Sequence, residues 1–205
     1  MVRELPKGWK WVALGDLCQK QAETRDPSVA PDTLFTYVDI ASVNNATKTI
    51  EEPQELLGRD APSRARRVIR SNDVLVATTR PYLNAVALVP APLDGQICST
   101  GFCVLRCRPG APLEQRYLFS FVQSQEFIDR VCVNMRGANY PAVSDSDVFA
   151  VEMPLPPLPE QCRLVALVKA ALAQVEAAER EMAALRERLQ ALRASVLEAA
   201  FRGAI

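Results

Sequence analysis

Apolar residues in the last fifty positions recur every seven. Val168, Val175, Met182, Leu189 and Val196 fall seven apart, and Ala171, Ala178, Leu185, Leu192 and Ala199 repeat the spacing three residues later. This is an a/d seam over about five heptads, the mark of a helix that must pair with another helix. Gly203 is the only glycine after Pro154, so nothing interrupts it. The spacing predicts a helix from about Glu160 to Phe201, roughly 60 Å long. That length exceeds what one compact domain of this size can hold, so the helix is read as a rod, spacer or dimerisation arm.

The pattern upstream is different. Residues 9–17 read as a short strand turning into a first helical turn, and residues 21–33, polar with two prolines, as a loop. Leu34–Ile40 alternates and is rich in β-formers. Residues 52–64 read as irregular. Strands are then predicted at 73–79, 85–89 and 101–108, the last after a short piece at 96–99. From Leu113 to Val133 the spacing turns helical, with Ser124 placed to cap the second of two short helices. Residues 134–147 read as loop and 148–153 as a closing strand. The expected class is α+β: a mainly β globular domain over 1–153, a proline-rich hinge at 154–159, and a long helix over 160–205. Pro154, Pro156, Pro157 and Pro159 in the hinge favour a stiff extended chain.

The seam also carries an orientation. In a parallel pair Ala171, Ala178 and Ala199 would each meet their own copy and leave thin layers. In an antiparallel pair Ala178 meets Leu189, Ala171 meets Val196, Val175 meets Leu192 and Met182 meets Leu185. Small then faces large in most layers, so an antiparallel coiled-coil homodimer is expected. Two such copies carry one globular domain at each end, which suits duplex DNA with two separated half-sites.

Composition narrows the chemistry. The 205 residues, 49% of them hydrophobic, suffice for one domain and the arm. There is no histidine, which excludes Ser-His-Asp and Cys-His catalysis and disfavours zinc. Neither a phosphate-cradling G-x-x-x-x-G-K-[ST] loop nor a G-x-G-x-x-G fingerprint occurs. The six cysteines form no C-x-x-C pair and read as buried free thiols; no metal site is expected. No apolar run reaches the ~18 residues of a membrane span, and no secretory signal is recognisable, so the protein is expected to be soluble and cytoplasmic. Net charge is zero, so bulk charge does not argue for nucleic acid. One stretch stands out: Arg59, Arg64, Arg66, Arg67 and Arg70, offset only by Asp60. Such a cluster is either a solvated face or a binding surface.

An ordered series of motifs runs through the chain. It begins with Leu5-Pro6-x-Gly8-Trp9 and Leu14-Gly15, and continues with Ala65-Arg66-Arg67, Asn72-Asp73-Val74-Leu75 and Thr79-Arg80-Pro81. Ser99-Thr100-Gly101-Phe102 and Gly137-Ala138-Asn139-Tyr140-Pro141 follow. The series closes with Pro156-Pro157-Leu158-Pro159-Glu160-Gln161 at the helix start and Ser195-x-Leu197-x-x-Ala200-Phe201-x-Gly203 at its end. In this the chain resembles the specificity (S) subunit of type I restriction–modification systems, in a half-length form with one target recognition domain and one long helix. The resemblance implies a non-catalytic subunit that reads one half of a split DNA target per domain, with paired helices as a spacer ruler. It implies two protein partners, a DNA methyltransferase (M) subunit and a restriction (R) subunit. S-adenosylmethionine belongs to the methyltransferase, and the chain itself needs no cofactor.

For such a reader, Arg66, Arg67, Arg80 and Arg136 are candidates for bidentate contacts to guanine, and Asn84 and Asn139 for contacts to adenine. Tyr82 and Tyr140 would pack on sugars or unstacked bases. Pro157, Leu158, Pro159, Glu160 and Gln161 are the candidate docking surface for the methyltransferase. Two other readings stand beside this one. The first is a homodimeric coiled-coil scaffold without DNA specificity. The second is a carboxylate nuclease using residues such as Asp39, Glu51 and Asp73, although these lack metal-ligand spacing.

Overall fold

A computed structural model describes residues 4–137 and 140–203. It divides into two units, residues 1–162 and 163–205. In the first, β1 (Lys10–Ala13) runs directly into α1 (Leu14–Leu17). A run of short strands follows: β2 (Leu34–Val38), β3 (Val43–Asn44), β4 (Thr49–Ile50), β5 (Gln54–Leu57) and β6 (Ala65–Val68). Then come β7 (Val74–Ala77), β8 (Val86–Leu88), β9 (Ile97–Ser99) and β10 (Phe102–Leu105). Three helices, α2 (Gln115–Val122), α3 (Gln125–Cys132) and α4 (Asp145–Phe149), precede β11 (Glu152–Leu155) and the long α5 (Leu158–Phe201). The class is α+β, a sheet-rich domain followed by one long helix.

Two small sheets make the centre. One has the order β10-β7-β8, the other β5-β2-β9-β6. All pairings are antiparallel except β2 with β9, where Tyr37 lies opposite Ile97. Every residue of β7 and β10 is buried, which is why both read as unbroken apolar runs rather than alternating ones. Val38, Ile69, Leu75, Ala87, Cys98 and Phe102 form the centre of the main core. Ser124 caps α3 as its position suggested, its hydroxyl accepting from the Phe127 amide.

Four details differ from the sequence reading. Residues 52–64 are not irregular throughout, because Gln54–Leu57 forms an edge strand on β2. Residues 65–68, within the arginine-rich stretch, form the opposite edge of that sheet. Part of the expected closing strand is instead α4. There Ser144 and Asp147 form a reciprocal capping box that starts a helix before Val148. Finally, residues 154–159 are not a separate hinge. Pro154 lies in β11 opposite Trp11, and α5 begins at Leu158. A proline is tolerated in β11 because that sheet has only two strands, so each strand is an edge. The Tyr117 hydroxyl donates to the Pro154 carbonyl at 2.7 Å and holds the segment in place.

Gln161, in the first turns of α5, is fully buried. Its Oε1 accepts from the Glu114 amide, and its Nε2 donates to the carbonyls of Pro112 and Pro156. One side chain therefore satisfies three backbone groups from two separate segments. Gln161→Leu keeps the volume but orphans all three, and is expected to lower unfolding free energy by about 2–3 kcal/mol. Urea denaturation checks this, and a midpoint within error of the parent would refute it.

Candidate nucleic-acid interface

The chain between β7 and β8 makes a tight turn, Pro81–Leu83, bracketed by two left-handed residues, Arg80 (φ 49°) and Asn84 (φ 48°). Neither is glycine, so each conformation costs about 1 kcal/mol or more. The surroundings fix it. The Arg80 amide donates to the Pro141 carbonyl at 2.7 Å, and Lys48 Nζ donates to the Asn84 carbonyl at 2.6 Å. Burial lowers the Lys48 pKa. Tyr82 and Leu83, at the tip, are half exposed.

A second loop lies against this turn. Arg136 and Ala142 exchange two backbone hydrogen bonds, and Thr79 bridges to Ala142. Gly137 (φ 95°) enters the loop, and a Cβ there would lie 2.9 Å from the Tyr140 carbonyl oxygen. Tyr140 is 73% exposed, and the Arg80 guanidinium stands 5.6 Å from its ring centroid, within cation–π range. The two loops border a cleft of about 670 Å³ with Arg64, Arg80, Thr79, Asn45 and Tyr140 among its walls. Ile40, Ala41, Val43, Leu83 and Ala85 supply apolar lining, and among the described residues no aspartate or glutamate lines it. Two cations in a partly apolar cleft make it attractive to an anionic polymer.

The candidate residues fall into distinct groups. Arg80, Tyr82 and Tyr140 are exposed around the two loops. Arg136 is exposed too, with Nη2 3.5 Å from Asp147. That carboxyl is held below its ordinary range, chiefly by the Ser144 hydroxyl and amide. Arg66 and Arg67, by contrast, are engaged in the fold. Arg66 pairs with Asp26 at 3.3 Å and occupies the irregular register of β6. Arg67 donates to the Phe102 carbonyl and pairs with Asp145 at 2.7 Å. Asn84 is only 8% exposed, with Nδ2 donating to the Gln123 carbonyl, so its side chain is turned into the fold. Asn139 lies outside the described residues.

Of the docking candidates, Pro157, Leu158 and Pro159 are exposed and Glu160 is half-buried. Gln161 faces inward and is unavailable to a partner. The acids weighed for nuclease chemistry serve local structure instead. Asp39 caps a turn through the Ile40 amide, Glu51 accepts from Asn44, Thr47 and Thr49, and Asp73 pairs with Arg106. Among the described residues, no three His, Cys, Asp or Glu gather to hold a metal. Cys18, Cys98 and Cys103 are buried, Cys107 and Cys132 partly so, and Cys162 is exposed. Burial pushes the Cys98 thiol up to about 12.

In α5, taken by itself, the heptad residues lie on the surface. Val168, Val175, Met182, Leu185, Leu189, Leu192 and Val196 are all exposed in the single chain. Ala171 and Ala178 are exposed as well, and Ala199 is half-buried. Among the described residues no helix is long and apolar enough to cross a membrane.

Residues 6–185 match the model of the type I restriction modification DNA specificity domain. The chain belongs to that family. Among relatives of the specificity family, the EcoDI specificity subunit of a type I restriction enzyme from Escherichia coli is 23% identical. That match covers 97% of this chain and 43% of the relative. The crystal structure of the HsdS subunit from Thermoanaerobacter tengcongensis is 47% identical, with a TM-score of 0.84 over 93% of this chain and 49% of that one. A chain from work on complex assembly and conformational transition of the type I R-M system is 50% identical, with a TM-score of 0.80. It matches over 87% of this chain and 45% of its own length. The chain thus spans about half the length, or somewhat less, of the specificity-family proteins it matches.

Sequence reasoning missed Arg64 as a wall of the cleft. It lies one residue before β6, among four other arginines that look the same in sequence. Only the location of the carboxylates separates it from them.

Proposed function

We propose that this chain is a non-catalytic DNA sequence-recognition subunit acting in the cytoplasm within a type I restriction–modification complex. The observation that carries the reading is that the family match runs through the globular unit and into the helix, over residues 6–185. The globular unit and much of the long helix are therefore matched together as one family sequence. The cleft, with no carboxylate among its described lining residues, supports DNA as the ligand, with Arg80, Tyr82, Arg136 and Tyr140 as contacts. The exposed apolar seam of α5 supports pairing with a second copy. Two copies would each read half of a split target, with the paired helices as the spacer ruler. A methyltransferase subunit, carrying S-adenosylmethionine, would dock around Pro157, Leu158 and Pro159, and a restriction subunit would complete the assembly.

The test is to map methylated adenines in cells that express this chain with its methyltransferase. A split palindromic motif is the expected result. A split asymmetric motif would require a second, different half. Methylation with no sequence motif would overturn the reading and favour a coiled-coil scaffold that binds protein alone.

A further inference from the structure

Five arginines lie between residues 59 and 70, and the structure sorts them. Arg59 pairs with Asp32, Arg66 with Asp26, Arg67 with Asp145, and Arg70 with Glu23 and Asp94. Each of these four joins the stretch to a distant segment. Arg64 is the exception: among the described residues no carboxylate pairs with it, and its exposed side chain lines the cleft. Arg80, also of the cleft, likewise has no carboxylate partner among the described residues.

The roots of both side chains are firmly held. The Arg64 carbonyl accepts from the Thr100 amide at 2.9 Å, and the next residue, Ala65, is fully buried. Arg80 is fixed by its left-handed backbone and by the bond to Pro141. The Tyr140 ring also presents a face to its guanidinium. An anchored, unpaired guanidinium keeps its planar fork free to meet two acceptors side by side. Lysine can reach guanine O6 and N7 as well as phosphate, but as a point charge on a flexible stem; the rigid planar fork meets the two acceptors of a guanine edge in one fixed geometry.

We infer that Arg64 and Arg80 form the base-reading pair of this domain, each contacting the O6 and N7 edge of a guanine, and that Arg64 thereby sets specificity. The inference rests on the DNA-reading role proposed above and adds the chemistry of its target. The half-site holds at least two guanines, and each arginine governs one of them.

The test uses the full chain with its methyltransferase subunit and a pool of duplexes with randomised half-sites. Bound duplexes are sequenced for the parent, Arg64→Lys, Arg64→Ala and Arg80→Ala. Among the described residues Arg64 has no carboxylate partner to lose, so matched thermal melts are expected for its variants. Arg64→Ala should lose preference for guanine at one position, roughly tenfold or more, while the rest of the motif persists, and Arg64→Lys should keep part of that preference. Arg80→Ala should do the same at a different position. If Arg64→Ala keeps the motif and only weakens binding uniformly, with a shallower salt dependence, Arg64 contacts phosphate and the inference fails. An unchanged motif in all variants also refutes it, while leaving the DNA-reading role intact. A parent that selects no motif removes both.

Discussion

Asp73→Ala is expected to destabilise the globular unit by about 3–5 kcal/mol, the usual cost of stripping one partner from a buried ion pair. Asp73 is 2% exposed and stands immediately before β7, the central strand of its sheet. Its Oδ1 accepts from Arg106 Nε at 2.9 Å, and its Oδ2 accepts from Arg106 Nη2 and the Arg70 amide, both at 2.7 Å. Alanine leaves the Arg106 guanidinium with the Val68 carbonyl alone, and leaves the Arg70 amide without an acceptor. For a chain of this size the loss corresponds to a fall in melting temperature of about 10 °C. Chemical denaturation should show a lower midpoint with an unchanged slope. A loss below about 1 kcal/mol would mean that water replaces the carboxylate, contrary to the burial seen here.

Leu185→Glu is expected to abolish self-association. In the proposed antiparallel register, Leu185 of one copy would meet Met182 of the other, and the twofold axis would make this contact twice. Burying each leucine stabilises the pair by about 2–3 kcal/mol, so losing two raises the dimer Kd by roughly a thousandfold or more. The introduced carboxylates add a desolvation cost to this. Leu185 is exposed in the isolated helix, so the variant should fold. Sedimentation should report a dimer for the parent and a monomer for the variant. In the same experiment, Ala178→Cys combined with Leu189→Cys should crosslink the parent dimer. Crosslinking by Ala178→Cys alone would instead indicate parallel helices.

The elements legible in the sequence are those whose residues agree locally on one state. The long helix shows its seven-residue period, β7 its apolar run, and α3 its capping serine. The edges of the larger sheet were hidden. β5 is half exposed, and β6 places Arg66 and Arg67 on a strand, so neither shows a strand's alternation. What makes β6 a strand is its pairing with β9 and the covering of its outer edge by residues 23–25. Both are decided by distant parts of the chain. α4 was misread for a different reason: Ser144-x-x-Asp147 is a visible start signal, but the helix is only one turn long and the valines beside it suggested a strand. The candidate site was half legible. Exposed loops carrying Arg80, Tyr82 and Tyr140 follow from turn chemistry. The engagement of Arg66, Arg67 and Asn84 does not, because Asp26, Asp145 and the Gln123 carbonyl are remote in sequence.

The buried amide of Gln161 also bears on how this protein can be cut and rejoined. Prolines 154–159 look like a natural seam for swapping recognition modules between relatives. A splice placed there would separate the amide from Pro112 and Glu114, which it must bind, and hand it to a foreign neighbour. Hybrids joined after Cys162 keep the amide with its own segments, and should be the soluble ones.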